Sequence, residues 1–225
     1  MEGNGQVAGV VQLNIFIDLF SGLGGASHAF DESPDWCTFK IDNNPELLEF
    51  NRGLHIIDIK EAATVIRMIE HMCSEVGHRF HDTMVIWASP PCQQFSYANG
   101  KRTQGNSPED FDMTLFDAAL DIIAHFQPDA WIIENVLGAV PIVENEYSML
   151  PRQQIGSIVM WGNFPRIPIR TRDDWNHRKL DAKGSRTLRA NWRAKIPQAV
   201  SFGLLDALTN QRTLKEWLPI EGIEE

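Results

Sequence analysis

Short apolar runs that alternate with helical patterns restrict the fold of this chain more than any other feature. Amphipathic patterns over 61–77 and 111–126 predict two helices, the first closed by Gly77 and the second ending before Pro128. Runs rich in β-branched and aromatic residues predict buried strands at 14–20, 36–42, 83–89 and 130–136. Parallel strands need a crossover between them, usually a helix, so the alternation predicts an α/β fold with a Rossmann-like, doubly wound and mostly parallel sheet.

The rest of the chain is less regular, and it suggests a division into three parts. Weaker patterns predict a helix over 45–53, strands over 55–59 and 155–162, and a late helix over 197–210. Residues 163–195 are rich in Pro, Arg and Trp without a clear period, which suggests an inserted lobe or a long loop. We therefore expect a main domain over 1–162, a small lobe over 163–195, and a C-terminal helical segment over 196–225 that packs back on the main domain.

The charge of the chain is unevenly distributed. The formal net charge is −10, yet residues 151–195 hold eleven Lys or Arg against three Asp, a local charge of +8 that leaves −18 elsewhere. A basic stretch on an acidic body is a plausible footprint for polyanion binding, since phosphate backbones attract Lys and Arg. A solvated charged loop that binds nothing is the alternative.

Two further features limit the class of protein. No apolar run approaches the roughly 18–20 residues that span a bilayer, and the first residues lack the basic region of a secretory signal, so we expect no membrane association. Cys37, Cys73 and Cys92 are odd in number and widely spaced, without a C-x-x-C pair. This spacing disfavours a disulfide framework and a metal site, and it suits a reducing, cytoplasm-like compartment.

A glycine-rich turn, 18-DLFSGLGG-25, stands where the first predicted strand hands over to a helix. Glycines let the backbone approach a ligand closely, and the start of a helix offers free N–H groups. Asp42 ends the second strand, twenty residues after Gly22, and Asp58 lies at the same edge. In doubly wound sheets an acidic side chain at this place reaches ribose hydroxyls, so the spacing predicts an adenosine-containing ligand. The spacing leaves open which ligand it is, and glycine for steric reasons alone is the alternative.

Two reactive side chains follow the next strands on the same predicted edge. Cys92 comes just after the strand at 83–89, and Glu134 and Asn135 close the strand at 130–136. A thiol becomes a nucleophile when a nearby positive charge stabilises its thiolate, and a buried carboxyl can donate a proton near neutrality. Taken alone, each residue favours a structural role, the cysteine as a small hydrophobe and the glutamate satisfied by backbone N–H groups. Because Cys92 and Glu134 are predicted to lie on one edge of the sheet, a catalytic role for the pair is favoured.

Three motifs in this order, DLFSGLGG (18–25), SPPCQQFS (89–96) and IIENV (132–136), resemble those of the DNA cytosine-5 methyltransferases. The resemblance covers roughly residues 14–140 and implies S-adenosylmethionine as methyl donor, released as S-adenosylhomocysteine. It implies that Phe20 lies against the adenine, that the glycines pack around the methionine part, and that Asp42 and Asp58 hold the ribose and the adenine amino group. The implied cofactor-binding residues are Asp18, Phe20, Gly22, Gly24, Gly25, Asp42, Asp58, Pro91 and Leu115.

The resemblance also implies a reaction. Cys92 would attack C6 of a cytosine flipped out of double-stranded DNA, and Glu134, followed by Asn135, would hold and protonate N3. The resembled family usually carries a Gln-x-Arg-x-Arg element next; here Arg152 is present as a catalytic candidate, but Gln154 stands where the second arginine belongs. No metal is implied.

The region available for target recognition is short. Members of the resembled family place a large recognition domain where this chain has only residues 163–195. We expect a short target or weak specificity, with an accessory protein or self-association supplying further contacts. Two alternatives stay open: a relative without turnover that binds nucleic acid or a protein, and a methyltransferase acting on RNA.

Overall fold

The computed structural model describes residues 13–77, 82–96, 111–169 and 185–210. Its elements, in chain order, are β1 (Asn14–Leu19), α1 (His28–Asp31), β2 (Trp36–Asp42), a 3₁₀ turn (Pro45–Glu49), β3 (Leu54–Ile56), α2 (Ala62–Val76), β4 (Met84–Ala88), α3 (Thr114–Phe126), β5 (Ala130–Val136), a 3₁₀ turn (Leu137–Ala139), α4 (Val140–Tyr147), β6 (Gln153–Ile155), β7 (Ile158–Asn163), α5 (Arg186–Ala194) and α6 (Gln198–Thr209).

The strands form one sheet in the order β3-β2-β1-β4-β5-β7-β6. The pairs among the first five strands are all parallel, whereas β7 runs antiparallel to both β5 and β6. The predicted Rossmann-like, mostly parallel sheet is therefore confirmed. Strand order reverses between β1 and β4, and ligands of such sheets bind in the crevice outside the carboxyl ends of the strands at this switch point.

Both faces of the sheet are covered, which explains why its strands are continuously apolar in sequence. Ile15, Ile17 and Leu19 of β1 lie in a cluster with buried side chains of α2, α3 and α4. On the opposite face, Phe16 stacks on Phe30 of α1 in a cluster that includes α6. None of the helices in the described part of the chain is long and apolar enough to cross a membrane.

A buried serine joins α6 to α1. The Ser201 hydroxyl donates to the Ala26 carbonyl oxygen at 2.6 Å and accepts the Ala29 N–H at 2.9 Å. Ser201 is 1% exposed, so both hydrogen bonds are sheltered from water. The helix predicted over 197–210 is thus present as α6, and it packs beside the helix that follows the glycine turn.

Several predicted elements differ in extent from the observed ones. The helix predicted over 45–53 is only a 3₁₀ turn, capped by Asn44, whose side-chain oxygen accepts the Glu46 N–H at 3.0 Å. The weak strand predicted over 55–59 is shortened to β3 at the edge of the sheet. Within the predicted lobe, residues 170–184 lie outside the described residues, and α5 was not predicted. Its only large apolar residues are Leu188 and Trp192, too few to reveal a helical period.

Candidate functional site

The glycine turn lies at the carboxyl end of β1, beside the switch point. Phe20, the residue after β1, has φ 58°, and Gly22 and Gly24 have φ 53° and 65°. A bulky residue in the left-handed region costs on the order of 1–3 kcal/mol, and such strain concentrates at ligand sites. Phe20 is half-buried against the core and adjoins the place where an adenosine-containing ligand was predicted.

Asp42 fixes the turn to the end of β2. One of its carboxylate oxygens accepts the Gly22 N–H at 3.0 Å, and the other accepts the Asn44 N–H at 2.9 Å. A carboxylate offers about four acceptor positions, so Asp42 can hold the turn and still accept hydroxyl groups. Asp58 follows β3, half-buried, and accepts the Lys60 N–H at 3.0 Å. Both acids that the spacing singled out therefore lie at the carboxyl ends of neighbouring strands.

A buried polar network supports the turn from below. Asn51, 4% exposed, donates to the Ser21 hydroxyl at 3.0 Å and to the Gly22 carbonyl at 3.1 Å. The Ser21 hydroxyl donates in turn to Asp18 at 2.9 Å. Burial raises the pKa of Asp18 to about 7, against the opposing effect of the Ser21 hydrogen bond. The Asp18 side chain, 1% exposed, thus supports the turn, and its direct contact with a cofactor stays a prediction.

The chain between α5 and α6 covers the glycine turn, which the sequence did not reveal. A Cβ placed on Gly25 would lie 2.5 Å from the Ile196 carbonyl oxygen and 2.7 Å from its nitrogen. Leu23 of the turn belongs to a small apolar cluster with Leu188, and Trp192 packs against that cluster. Gly25 is therefore required by a close backbone approach from a segment about 170 positions later.

The loop after β4 brings Cys92 to the same edge. The Ser89 N–H donates to the Leu19 carbonyl at 3.1 Å, which joins the ends of β4 and β1. Asn135, 1% exposed, donates from its side-chain amide to the Pro90 carbonyl at 3.0 Å. The loop continues in a turn in which the Cys92 carbonyl accepts two later backbone N–H groups. Asn135 thus touches the loop that carries the cysteine and positions it.

Cys92 and Glu134 are electrostatically coupled. Burial raises the pKa of the Cys92 thiol above its ordinary value, and the Glu134 carboxylate raises it further. Burial also raises the pKa of Glu134 from 4.5 to about 7, opposed by a hydrogen bond from the Ser89 side chain. At neutral pH a large share of Glu134 is therefore protonated and able to donate a proton. The Cys92 thiol is neutral at the same pH, because its pKa is raised.

The remaining predicted residues lie around this pair. Pro91 is exposed next to Cys92, and Leu115 is half-buried in the first turn of α3. The Gln94 side chain fixes the loop to the start of α3, since its amide donates to the Asp112 carbonyl at 2.7 Å and its oxygen accepts the Asp112 N–H at 3.0 Å. Across the described ranges, no group of three or more His, Cys, Asp or Glu could hold a metal ion.

The Arg152 side chain contacts Phe164 in this structure. It precedes β6, at the far edge of the sheet, and β7 separates that strand from β5. Its Nε donates to the Phe164 carbonyl at 2.6 Å, and its guanidinium carbon lies 5.6 Å from the centre of the Phe164 ring. Its charge is not among the influences on the pKa of Cys92. The structure does not bring Arg152 to the thiol, and its catalytic role stays a prediction.

Comparison with known proteins places these features in a family context. The family model for C-5 cytosine-specific DNA methylase matches residues 15–149. Type II methyltransferase M.HgiGI of Herpetosiphon aurantiacus is 31% identical over 126 residues, which are 53% of this chain and 88% of that protein. Type II methyltransferase M.HpaII of Haemophilus parainfluenzae is 34% identical over 127 residues, 55% of this chain and 31% of that protein.

The matched region covers only part of the length of most of these relatives. The chain spans about a third of the length of several of them, for example 36% of Type II methyltransferase M.HgiDI of Herpetosiphon aurantiacus. The solved methyltransferase EhMeth of Entamoeba histolytica is similar in structure with a TM-score of 0.40 and 15% identity, over 71% of this chain and 55% of that one. At this distance the structural similarity does not bear on function.

Proposed function

The chain belongs to the C-5 cytosine-specific DNA methylase family, and on that premise we propose that it transfers a methyl group from S-adenosylmethionine to C5 of cytosine in DNA. The observation that carries the proposal is the coupled pair at the sheet edge, in which the Cys92 thiol lies near a Glu134 carboxyl whose pKa is about 7. Asp42 holds the glycine turn at the end of β1, and Ser89 of the loop that carries Cys92 donates to Leu19 at the same end of that strand.

The residues around the turn fit S-adenosylmethionine. Asp42 and Asp58 offer acceptor positions to the ribose and the adenine amino group, and the left-handed backbone at Phe20 and Gly22 turns the chain around the crevice. Bound S-adenosylmethionine supplies an electrophilic methyl group on a positively charged sulfur. The chain's own task is to orient that group and to make C5 of cytosine nucleophilic.

The addition step pairs the thiolate with the carboxyl. The Cys92 sulfur forms a bond to C6, the electron pair of the C5–C6 double bond moves through the ring, and Glu134 delivers its proton to N3. C5 would then take the methyl group, and S-adenosylhomocysteine would be the leaving group. Loss of the C5 proton to a base restores the double bond, the C6–sulfur bond breaks, and N3 returns its proton to Glu134. The Cys92 thiol gives its proton to solvent before the attack and regains one after release, so each residue ends the cycle as it began.

The coupling of the two residues favours this order of events. The Glu134 charge is one cause of the raised pKa of Cys92, so protonation of Glu134 lowers the cost of ionising the thiol. The protonated carboxyl that N3 requires therefore accompanies the thiolate that C6 requires. C6 is shielded in a stacked duplex, so we propose that the target cytosine is flipped into the crevice.

Two observations favour a second candidate function. The Cys92 thiol has a raised pKa, and Arg152 is engaged with Phe164 rather than with the thiol. A relative with this arrangement and no turnover would bind nucleic acid or a protein instead of modifying it. An RNA substrate is a further variant, because the attack on C6 does not involve the 2′-hydroxyl.

Trapping on a modified duplex tests the proposal. A 5-fluorocytosine duplex keeps fluorine where the proton must leave, so the Cys92 adduct should accumulate in the presence of S-adenosylmethionine. We expect a covalent protein–DNA species by denaturing electrophoresis, its absence in Cys92→Ala, and its persistence in Cys73→Ala. Cys73 is the matched control because it is half-buried in α2, outside the site. An adduct that survives Cys92→Ala would contradict the mechanism, and cofactor binding without methyl transfer to DNA or RNA would favour the binding relative.

A further inference from the structure

Helix α5 has two faces of opposite character. Its inner face carries Leu188, 7% exposed, and the half-buried Trp192, one turn apart. Its outer face carries Arg189 and Arg193, both exposed and also one turn apart, about 6 Å along the axis. The helix begins at Ser185, whose side chain accepts the Leu188 N–H at 3.1 Å. It is thus a capped, anchored helix rather than a loose charged loop.

The inner face forms a wall of the glycine turn. Leu188 belongs to the same apolar cluster as Leu23, and Trp192 packs against that cluster. A Cβ on Gly22 would lie 3.1 Å from the Asn191 side-chain oxygen, which shows how closely α5 approaches the turn. Any displacement of α5 therefore changes the surroundings of the backbone that the proposed cofactor contacts.

The outer face carries two positive charges close together. Arg189 and Arg193 stand four residues apart, a like-charge spacing that destabilises a helix. Within the described residues neither side chain forms an ion pair or a hydrogen bond, although the protein has thirty acidic residues. Residues outside 151–195 carry a formal charge of −18 and repel a polyanion, so a favourable contact has to be local.

We propose that the outer face of α5, through Arg189 and Arg193, binds the phosphate backbone of the DNA substrate, and that α5 thereby couples DNA binding to cofactor binding. This inference rests on the proposed function. The basis for the coupling is that the helix that carries the two exposed arginines also packs Leu188 and Trp192 against the glycine turn. Linkage then requires that a bound cofactor product tighten DNA binding by the same factor by which DNA tightens binding of that product.

The test compares the double variant Arg189→Gln/Arg193→Gln with Arg67→Gln, an exposed arginine on α2. DNA affinity is measured by fluorescence anisotropy between 50 and 200 mM salt, with and without S-adenosylhomocysteine. Losing two phosphate contacts should reduce the slope of log affinity against log salt by roughly 2. In the wild type, S-adenosylhomocysteine should tighten DNA binding by at least about 5-fold, and the double variant should lose most of this effect.

The controls are the binding of S-adenosylhomocysteine without DNA, the unfolding temperature, and the variant Arg67→Gln. The double variant should bind S-adenosylhomocysteine without DNA as the wild type does, and it should unfold at the same or a slightly higher temperature, since both arginines are exposed and their repulsion is removed. An unchanged salt slope in the double variant, with DNA methylation intact in the wild type, would overturn this inference and leave the proposed function standing. A wild type that binds S-adenosylhomocysteine but no DNA at any salt concentration would overturn both. A change in slope for Arg67→Gln equal to half that of the double variant would show a nonspecific charge effect and would also overturn it.

Discussion

Replacing Glu134 by Gln should make the protein more stable and less active. The pKa of Glu134 is raised from 4.5 to about 7, mainly by burial. Below pH 4.5 the folded and unfolded chains both carry the proton, so this group has no effect on stability. Between pH 4.5 and about 7, Glu134 ionises in the unfolded chain but stays protonated in the folded protein, so the free energy of unfolding falls as pH rises. Above about pH 7 the group is ionised in both states, and the full loss of stability is present. Gln is neutral and nearly the same shape, so it removes that cost.

The magnitude follows from the shift. About 2.5 pKa units at 1.36 kcal/mol each correspond to roughly 3 kcal/mol, an upper bound because the side chain is only half-buried. We expect Glu134→Gln to unfold with a free energy up to about 3 kcal/mol larger than the wild type at pH 8, and equal to it near pH 4. Methyl transfer should fall by roughly 10²- to 10⁴-fold, since Gln cannot deliver a proton to N3.

Urea unfolding at several pH values between 4 and 8, paired with methyl transfer assays, tests this reasoning. The difference between variant and wild type isolates Glu134, because the pH dependence of Asp18, whose pKa is also about 7, is common to both proteins and cancels. Glu144→Gln on the exposed side of α4 is the control for the replacement of a glutamate outside the site. A Glu134→Gln protein no more stable at pH 8 than at pH 4, relative to wild type, would refute a buried carboxyl of raised pKa.

Four further outcomes follow from the same contacts. The logarithm of the wild-type methylation rate should rise with pH up to about 7 and then level, as Glu134 loses its proton, whereas in Glu134→Gln it should keep rising as the thiol ionises. Gly25→Ala places a Cβ 2.5 Å from the Ile196 carbonyl oxygen, so we expect a loss of about 1–3 kcal/mol in urea unfolding and weaker cofactor binding by calorimetry. Asn51→Ala removes both side-chain hydrogen bonds below the turn and should raise KM for S-adenosylmethionine more than it lowers kcat. Arg152→Ala should lower the unfolding temperature yet leave trapping on a 5-fluorocytosine duplex unchanged, and a trapping rate reduced a hundredfold would assign it to catalysis instead.

Local sequence patterns were enough to predict most of the strands and helices. The strands at 36–42 and 130–136 were predicted to the residue, and the helix over 61–77 ends at Gly77 in the left-handed conformation that glycine favours. Strand and helix periods are set by neighbours a few positions away, and parallel strands buried on both faces are apolar throughout. The edge shared by Cys92 and Glu134 follows from the same logic, because side chains after parallel strands meet at one end of the sheet.

Contacts between residues far apart in the chain could not be predicted from the sequence. Asn51 bonds Ser21 thirty positions earlier, and Ile196 lies against Gly25, and no local period encodes either contact. The direction of Arg152 toward Phe164 likewise depends on how β6 and β7 pair at the edge of the sheet. The sequence by itself therefore determined the layered fold and the residue types at the carboxyl edge of its parallel strands. Only the tertiary structure decided which groups support the glycine turn, that α5 covers it, and how far burial raises the pKa of Glu134, because each of these depends on the packing of segments far apart in the chain.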